Sequence, residues 1–508
     1  MANQIKIGSF LSYISIITNI VIGLIYTPYM IRMLGQSEYG LYSLTASVIA
    51  YLTVLDLGFG DAIIRYTAKY RAEGKTREQS ELFGMFIFLY SIIGIIAFII
   101  GLLLTLNAGY FFHETMSTEE IFKVKIMLWI MTFNIAFTFP MSIWGAIMCA
   151  YERFVFQKIV IIARNVLNPL VMVVLLSVGY KAIALVIITT IFNMFSLVAN
   201  WLYCKRRMKI KVRFCLFNLG FIKEVCLYSF WIFLNVIMDR IYWNTGQFVL
   251  GIYQGTVAIA VYSLAIQLHF MYNSFSTAIS SLLLPKVIRV VVSGNDYNEV
   301  SNFFIKVGRL QYIAMSFILT SFIIFGKPFI KLWAGQGYED TYIISLLLFV
   351  PLTVPLIQNI GITILKARNQ MKFRSVVYVI IALLSLLISI PLSKEYSGIG
   401  CAVATSIALV LGHIIIMNIY YKCEQQIDIV LFWKNIAKMS VVPGVIILIW
   451  LFNDNSMHSE AWDTSTLLIF FVIFSMLYLP LFFFFSMNQY ERELFISPVL
   501  KLRSIIRI

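Results

Sequence analysis

Charge is what this chain of 508 residues has least of: Asp, Glu, Lys and Arg make up 12% of it, and histidine adds four residues. Soluble globular domains run near 25% charged, so an ordinary water-exposed surface is excluded. Cysteine is sparse at six. Cys204, Cys215 and Cys226 match no zinc spacing, and no two cysteines are expected together on an oxidising side, so neither a metal centre nor a disulfide is expected. No phosphate-binding loop is present either, because no Lys-Ser/Thr follows Gly58-x-Gly60 and no strand precedes it. No cofactor is implied.

What fills the chain instead is apolar: 60% of it is hydrophobic and 16% aromatic. Long greasy stretches recur near the ~20 residues that a helix needs to cross a bilayer. We count fourteen, at roughly 7–31, 40–63, 82–106, 123–149, 157–180, 182–203, 224–250, 255–282, 307–330, 341–365, 374–393, 398–421, 438–452 and 465–487. The thirteenth is short and the sixth follows hard on the fifth, which leaves twelve or thirteen open. The lengths suit helices and not barrel strands. The first stretch is too long for a signal-peptide core, so it is expected to remain as a span. The expected fold is therefore an all-α polytopic membrane protein of about 14 transmembrane helices.

The basic excess of +15 reports orientation. With the N-terminus in the cytoplasm, 30 of the 39 Lys and Arg residues fall in cytoplasmic segments, seven in outer segments, and two, Arg164 and Arg240, inside spans. This is the positive-inside bias, and an even span count keeps both termini cytoplasmic. Basic residues scattered over many short loops make no nucleic-acid surface.

A shift of 220 residues lays "GQSEYGLYSL" (Gly35–Leu44) over "GTVAIAVYSL" (Gly255–Leu264) and Gly74 over Gly294. The reading is two six-helix bundles in parallel pseudo-repeat, 1–210 and 211–425, with two additional helices and a cytoplasmic tail in 426–508. Such bundle pairs place a substrate site between the halves near the midplane. The same shift puts Asn19 on Asp239 and Ser15 on Asn235. Ser12, Ser15, Asn19 and Tyr26 share one helical face in the first span; Tyr228, Asn235, Asp239, Tyr242 and Gly246 share one in the seventh. Lipid cannot satisfy such stripes, so they either line a cavity or bind neighbouring helices.

The run "YTPYMIRMLGQSEYGLYSLTASVIAYLTVLDLGFGDAIIRYTAKY" (Tyr26–Tyr70) resembles the N-terminal signature of the Wzx-type polysaccharide-unit flippases, of the multidrug/oligosaccharidyl-lipid/polysaccharide exporter superfamily. The match lies in Leu34-Gly35, Glu38-Tyr39-Gly40-Leu41-Tyr42 and Leu55-Asp56-Leu57-Gly58, with the span count extending it. The resemblance implies two bundles enclosing a cavity that opens alternately to each side of a bacterial cytoplasmic (inner) membrane. It also implies flipping of undecaprenyl-pyrophosphate-linked oligosaccharide for O-antigen, capsule or exopolysaccharide, with a proton or sodium ion as coupling cation and the polymerase machinery as partner. Such a protein is a transporter and not an enzyme.

Within this frame Arg240 is the sharpest candidate, since a guanidinium keeps its charge and grips phosphate oxygens with a planar fork. Its alternative is a structural ion pair with a carboxylate on another helix, such as Asp56. Asp239 and Asn235 stand beside it as cavity residues, with Asn19 as their counterpart. Asp56 is also the candidate for ion coupling. Arg164, near Asn165 and Asn168, either contacts cargo or snorkels to the interface. In the eighth span His269, Tyr272, Asn273 and Ser276 follow helical spacing, and His269 and Asn273 are further cavity candidates or packing residues. Two rival functions remain: a drug or cation exporter of the same superfamily, which calls for a carboxylate-dominated lumen, and a membrane-embedded polymerase or glycosyltransferase. The second needs catalytic groups on a substantial outer loop. The stretches 107–122 and 453–464 are short, and His113, Glu114, Glu119 and Glu120, or Asp454, His458, Glu460 and Asp463, show no catalytic spacing.

Overall fold

A computed structural model describes residues 2–214, 219–293, 297–368, 370–453 and 462–496. Every regular element among them is helical: α1 (Ala2–Leu52), α2 (Phe59–Ala72), α3 (Thr76–Phe112), α4 (Thr118–Ala150), α5 (Phe154–Ser177), α6 (Ala182–Arg206), α7 (Leu219–Tyr253), α8 (Thr256–Ser293), α9 (Tyr297–Ala334), α10 (Asp340–Ile357), α11 (Ile360–Ala367), α12 (Met371–Leu409), α13 (Met417–Cys423), α14 (Ile429–Met439), α15 (Val441–Asn453) and α16 (Thr464–Phe485). Asp454, His458, Glu460, Cys215, Gly294 and the tail 497–508 lie outside the described residues.

The fold is all-α and polytopic, as the apolar runs require. Among the described residues nine helical stretches are long and apolar enough to cross a membrane, or ten if α14 and α15, bent by 44°, form one span. That is fewer than fourteen, and two positions account for part of the difference. Gly35 (φ 78, ψ 171) breaks α1 between the first two expected spans, and Ser397 (φ 50, ψ −133) breaks α12 between the eleventh and twelfth. In each case a single left-handed residue replaces a loop, so two runs join into one continuous element. The expected seventh and eighth spans fall on α7 and α8, parts of which border or include side chains outside the described set.

The helices gather into two compact units: Met1–Ile266 with Lys372–Thr405, and Gln267–Met371 with Ser406–Ile508. In the first, α3 and α4 approach closely because Gly94 and Gly101 face Ala136 and Thr132; a methyl group on either glycine would lie 2.7 Å from the Ala136 carbonyl oxygen or 2.4 Å from Thr132. Small residues permit this contact where lipid offers no hydrophobic drive between helices. Phe59, Phe86, Tyr90 and Phe139 form an aromatic core beside it. α7 packs against α1 and α2. In the second unit, α9 is the central element: Phe304 meets Tyr421 and Phe432, while Phe317 meets Phe474 and Tyr478 of α16. Large apolar side chains such as Ile25, Leu106, Phe195 and Phe485 stand on the outside, as lipid contact demands.

Candidate functional site

The polar stripe of α7 lies in the first unit. From Asn235 to Asp239 is just over one helical turn, which sets them on one face, while Arg240 points about 100° away from Asp239. Asn235 is half-buried and bonded twice to the start of α12: Arg374 Nη1 donates to its Oδ1 at 2.8 Å, and its Nδ2 donates to Ser375 Oγ at 3.0 Å. Arg374 is 7% exposed and its guanidinium lies 4.4 Å from the centre of the Tyr378 ring. Asp239 stands exposed on the same face. Arg240 is half-buried, and its Nε is shielded from solvent with no hydrogen-bond partner among the described residues. Further along, Tyr242, Thr245, Gly246, Ser385, Ser389 and Thr405 line a small cavity between α7 and α12, where the Tyr51 hydroxyl reaches Thr245. The side chain of Tyr228 is outside the described set.

Asp56 is occupied otherwise than by an arginine. It ends a short 3₁₀ turn (Thr53–Asp56), and Leu57 (φ 53) and Gly58 (φ 74) then reverse the backbone before α2 begins. Its Oδ1 accepts from the Tyr90 hydroxyl at 2.5 Å. No ion pair links Asp56 or Asp239 to Arg240 among the described residues.

Arg164 belongs to a separate network. Its Nη1 donates to Asn193 Oδ1 at 3.1 Å, and Asn193 Nδ2 donates to Asn134 Oδ1 at 2.8 Å and Thr138 Oγ1 at 2.9 Å, which ties α5 to α6 and α4. Asn19 is exposed on α1. In the second unit His269 is buried at 1% exposure, Asn273 is half-buried, and the neighbouring Tyr272 hydroxyl pairs with Thr353 Oγ1 at 2.8 Å.

Two members of these clusters were not singled out from the sequence. Arg374 was counted as a cytoplasmic loop residue because it precedes an apolar run. Arg374, Tyr378, Ser385 and Ser389 follow one another at intervals of four, seven and four residues, which marks a polar helical face and was the readable signal. Asn193 stands alone in an apolar stretch, and nothing in the sequence points to its three partners.

A family model described as polysaccharide biosynthesis protein matches residues 6–290. The chain is 21% identical over 421 residues to the uncharacterized membrane protein EpsK of Bacillus subtilis (strain 168), covering 78% of each chain. It is 20% identical over 398 residues to a putative O-antigen transporter of Shigella flexneri, covering 77% of this chain and 92% of that one. Its fold is similar to that of the lipid II flippase MurJ in an inward closed conformation, with a TM-score of 0.72 and 17% identity over 97% of this chain and all of that one.

Proposed function

The chain belongs to the polysaccharide biosynthesis protein family, and from that premise we propose that it flips undecaprenyl-pyrophosphate-linked oligosaccharide units from the cytoplasmic to the outer leaflet. The coarse part of this reading, a membrane transporter of lipid-linked saccharide and not a catalyst, is supported by the family match and by a curated relative named as a putative O-antigen transporter. The finer part rests on Arg240. A charge at the middle of a membrane helix costs about 2.5–3.5 kcal/mol on insertion scales, and here it is retained with an Nε donor that no described residue uses. A guanidinium already saturated by a carboxylate would be structural. One with spare donors suits an incoming phosphate, whose charge cannot enter hydrocarbon unpaired.

In this reading the segments 1–210 and 211–425 act as the two bundles of an alternating-access cycle. Both termini and the loops 64–81 and 204–223 face the cytoplasm, as the 30-to-7 distribution of basic residues implies. Arg164, Asn19, His269 and Asn273 contribute cavity polarity, and Asp56 carries the coupling proton or sodium ion. A drug or cation exporter fits less well, because the midplane charge it would need is a carboxylate without a competing arginine.

The test is export in a deletion strain complemented at matched protein levels. Arg240→Ala inserts normally and strands lipid-linked units on the cytoplasmic leaflet, while Arg240→Lys keeps partial export. Full export by Arg240→Ala would overturn the assignment. Asp56→Asn, which keeps size and hydrogen bonding to Tyr90, uncouples export from the ion gradient; normal export across external pH and Na⁺ assigns Asp56 a structural role.

A further inference from the structure

Beyond α6 the chain continues as a strap whose two sides are chemically opposite. Lys209 (φ 52) turns it away from the helix end. Over residues 208–213 partly buried and exposed side chains then alternate, the period of two of an extended chain. Met208, Ile210 and Val212 pack against the buried core of the first unit, which includes Leu82, Phe83 and Cys204. Lys209, Lys211 and Arg213 are exposed on the other side, beside exposed Lys205, Arg206 and Arg207 at the end of α6. The backbone is pinned in this register. Ile210 N–H donates to the Cys204 carbonyl at 3.2 Å, and Arg213 N–H donates to the Ser80 carbonyl at 3.0 Å. Gly84 admits the strap, because a Cβ there would lie 2.1 Å from the Arg213 carbonyl oxygen. Residues 204–214 contain no acid, and none of these six basic side chains forms an ion pair among the described residues. Glu73 and Glu81, next to the start of α3, are already paired with Lys75 at 2.7 Å and Arg77 at 2.9 Å.

Two neighbouring helices set the depth of the strap independently. α6 has 25 residues, about 37 Å of helix against ~30 Å of hydrocarbon, so its last turn emerges at headgroup level. On α3 the strap crosses residues 80–84, where charged Arg77, Glu78 and Glu81 give way to the apolar run that starts at Leu82. Lys205 lies over the Trp201 ring at 5.2 Å, and Phe214 is 71% exposed at the strap's far end. Aromatic rings beside basic groups suit a membrane interface. Orientation of the chain needs only the charge of these residues; it does not need a backbone pinned with its basic side outward. Resting on the cytoplasmic orientation proposed above, we propose that residues 205–214 dock onto headgroups of anionic phospholipid in the cytoplasmic leaflet. The basic side contacts phosphate, and the apolar side ties that contact to the core around α3 and α6. A bilayer fits this row better than an acidic protein does, because the row lies at headgroup depth between aromatic residues. Lys211 and Arg213 are about 6.7 Å apart along an extended chain, so the row meets several headgroups and makes no single pocket.

The full chain is placed in nanodiscs of phosphatidylcholine, or of phosphatidylcholine and phosphatidylglycerol in equal parts. A membrane-impermeant amine reagent is added, and the modification rate of each lysine is read by mass spectrometry. Phosphatidylglycerol slows Lys209 and Lys211 several-fold more than Lys69, an exposed lysine in the last turn of α2. Equal rates in the two lipids overturn the proposal, and so does slowing no greater than that of Lys69, which would report surface charge alone. Gly84→Ala keeps every charge but displaces the Arg213 carbonyl, and it removes the extra protection. The combined variant Arg206→Gln, Arg207→Gln and Arg213→Gln keeps both reporter lysines and decides if Gly84→Ala fails to fold. Each basic residue at an anionic surface strengthens association about fivefold, so losing three weakens it on the order of a hundredfold and abolishes protection. Undiminished protection in either folded variant overturns the proposal. Protection that appears in phosphatidylcholine only on adding cytosolic protein overturns it in favour of an acidic protein partner. The same reagent applied to sealed right-side-out vesicles tests the orientation separately: modification of Lys209 there overturns the cytoplasmic placement, whatever the nanodiscs show.

Discussion

Two polar clusters of the first unit make opposite use of buried charge. Around Glu38 every carboxylate oxygen has a donor: Oε1 accepts from Lys123 Nζ at 2.7 Å and Oε2 from the backbone N–H of Ala182, at the start of α6. Nearby, Glu120 accepts from Ser37 Oγ at 2.6 Å and Thr256 Oγ1 at 3.1 Å, and closes a capping box with Ser117 at the start of α4. Carboxylates at helix N-termini meet both free N–H groups and the positive end of the dipole. Around Asn235, by contrast, Arg374 and Arg240 each keep an Nε that no described residue uses. Saturated polar clusters fix helices to one another, and one left open keeps capacity for something that arrives. Glu38 and Gly40 are among the residues that carry the family resemblance, and in this fold they hold α1 against α4, α6 and α8.

The comparison breaks first if a saturated cluster proves dispensable. The second unit holds another: Arg309, 7% exposed, donates from Nε and Nη2 to the two oxygens of Glu491 at 2.6 and 2.8 Å, and further to Asn435 Oδ1 and the Ser486 carbonyl. Glu491→Ala leaves a buried guanidinium with weaker neutral acceptors, and the expected cost is about 3–5 kcal/mol. Thermal unfolding of the detergent-solubilised protein checks it; a midpoint within a degree of wild type would remove the distinction between the clusters.

Gly40 comes next. A Cβ added there would lie 2.0 Å from the Thr256 carbonyl oxygen, a backbone atom that cannot swing aside, whereas one added at Gly60 meets nothing within 4 Å. Gly40→Ala is expected to cost about 1–3 kcal/mol by overpacking, and Gly60→Ala to lack any such overpacking cost. Equal midpoints for the two variants would show that the close approach of α1 and α8 is not a constraint. Glu38→Gln should cost less, about 1–2 kcal/mol, because Lys123 retains its second partner, Glu119, at 2.7 Å. A much larger loss in the same unfolding assay would mean that the Ala182 contact carries the cluster.

How far the sequence reaches follows from these particulars. α4 and α6 begin and end within a few residues of the expected spans, since hydropathy is a local property that sets span length directly. The breaks at Gly35 and Ser397 were less legible: a single left-handed residue leaves hydropathy nearly untouched, and serine gives little warning of it. Candidate residues were legible as polar groups in apolar surroundings, which found Arg164, Asp56 and the α7 stripe. Their partners were not. Tyr90 lies 34 residues from Asp56, and Arg374 lies 139 from Asn235. Arg309 and Arg374 were both counted as loop charges, because charge at the end of an apolar run looks the same whether it faces water or a neighbour.

The smallest expected effect on stability belongs to the open cluster, and it sharpens the comparison most. Arg240 makes no ion pair among the described residues and its Nε is unsatisfied, so its replacement removes a desolvation cost without breaking a saturated contact. Replacing a buried charged group by an apolar one of similar volume is often neutral or stabilising. Arg240→Met is therefore expected to unfold within about 0.5 kcal/mol of wild type, or later, in the assay that registers the large loss for Glu491→Ala. A group kept for binding is stabilised by its ligand and not by the fold, so undecaprenyl pyrophosphate should raise the midpoint of wild type by more than that of Arg240→Met. A destabilisation of several kcal/mol in Arg240→Met without lipid would show that the guanidinium is held by the protein itself, and the distinction between open and saturated clusters would fail at its central residue.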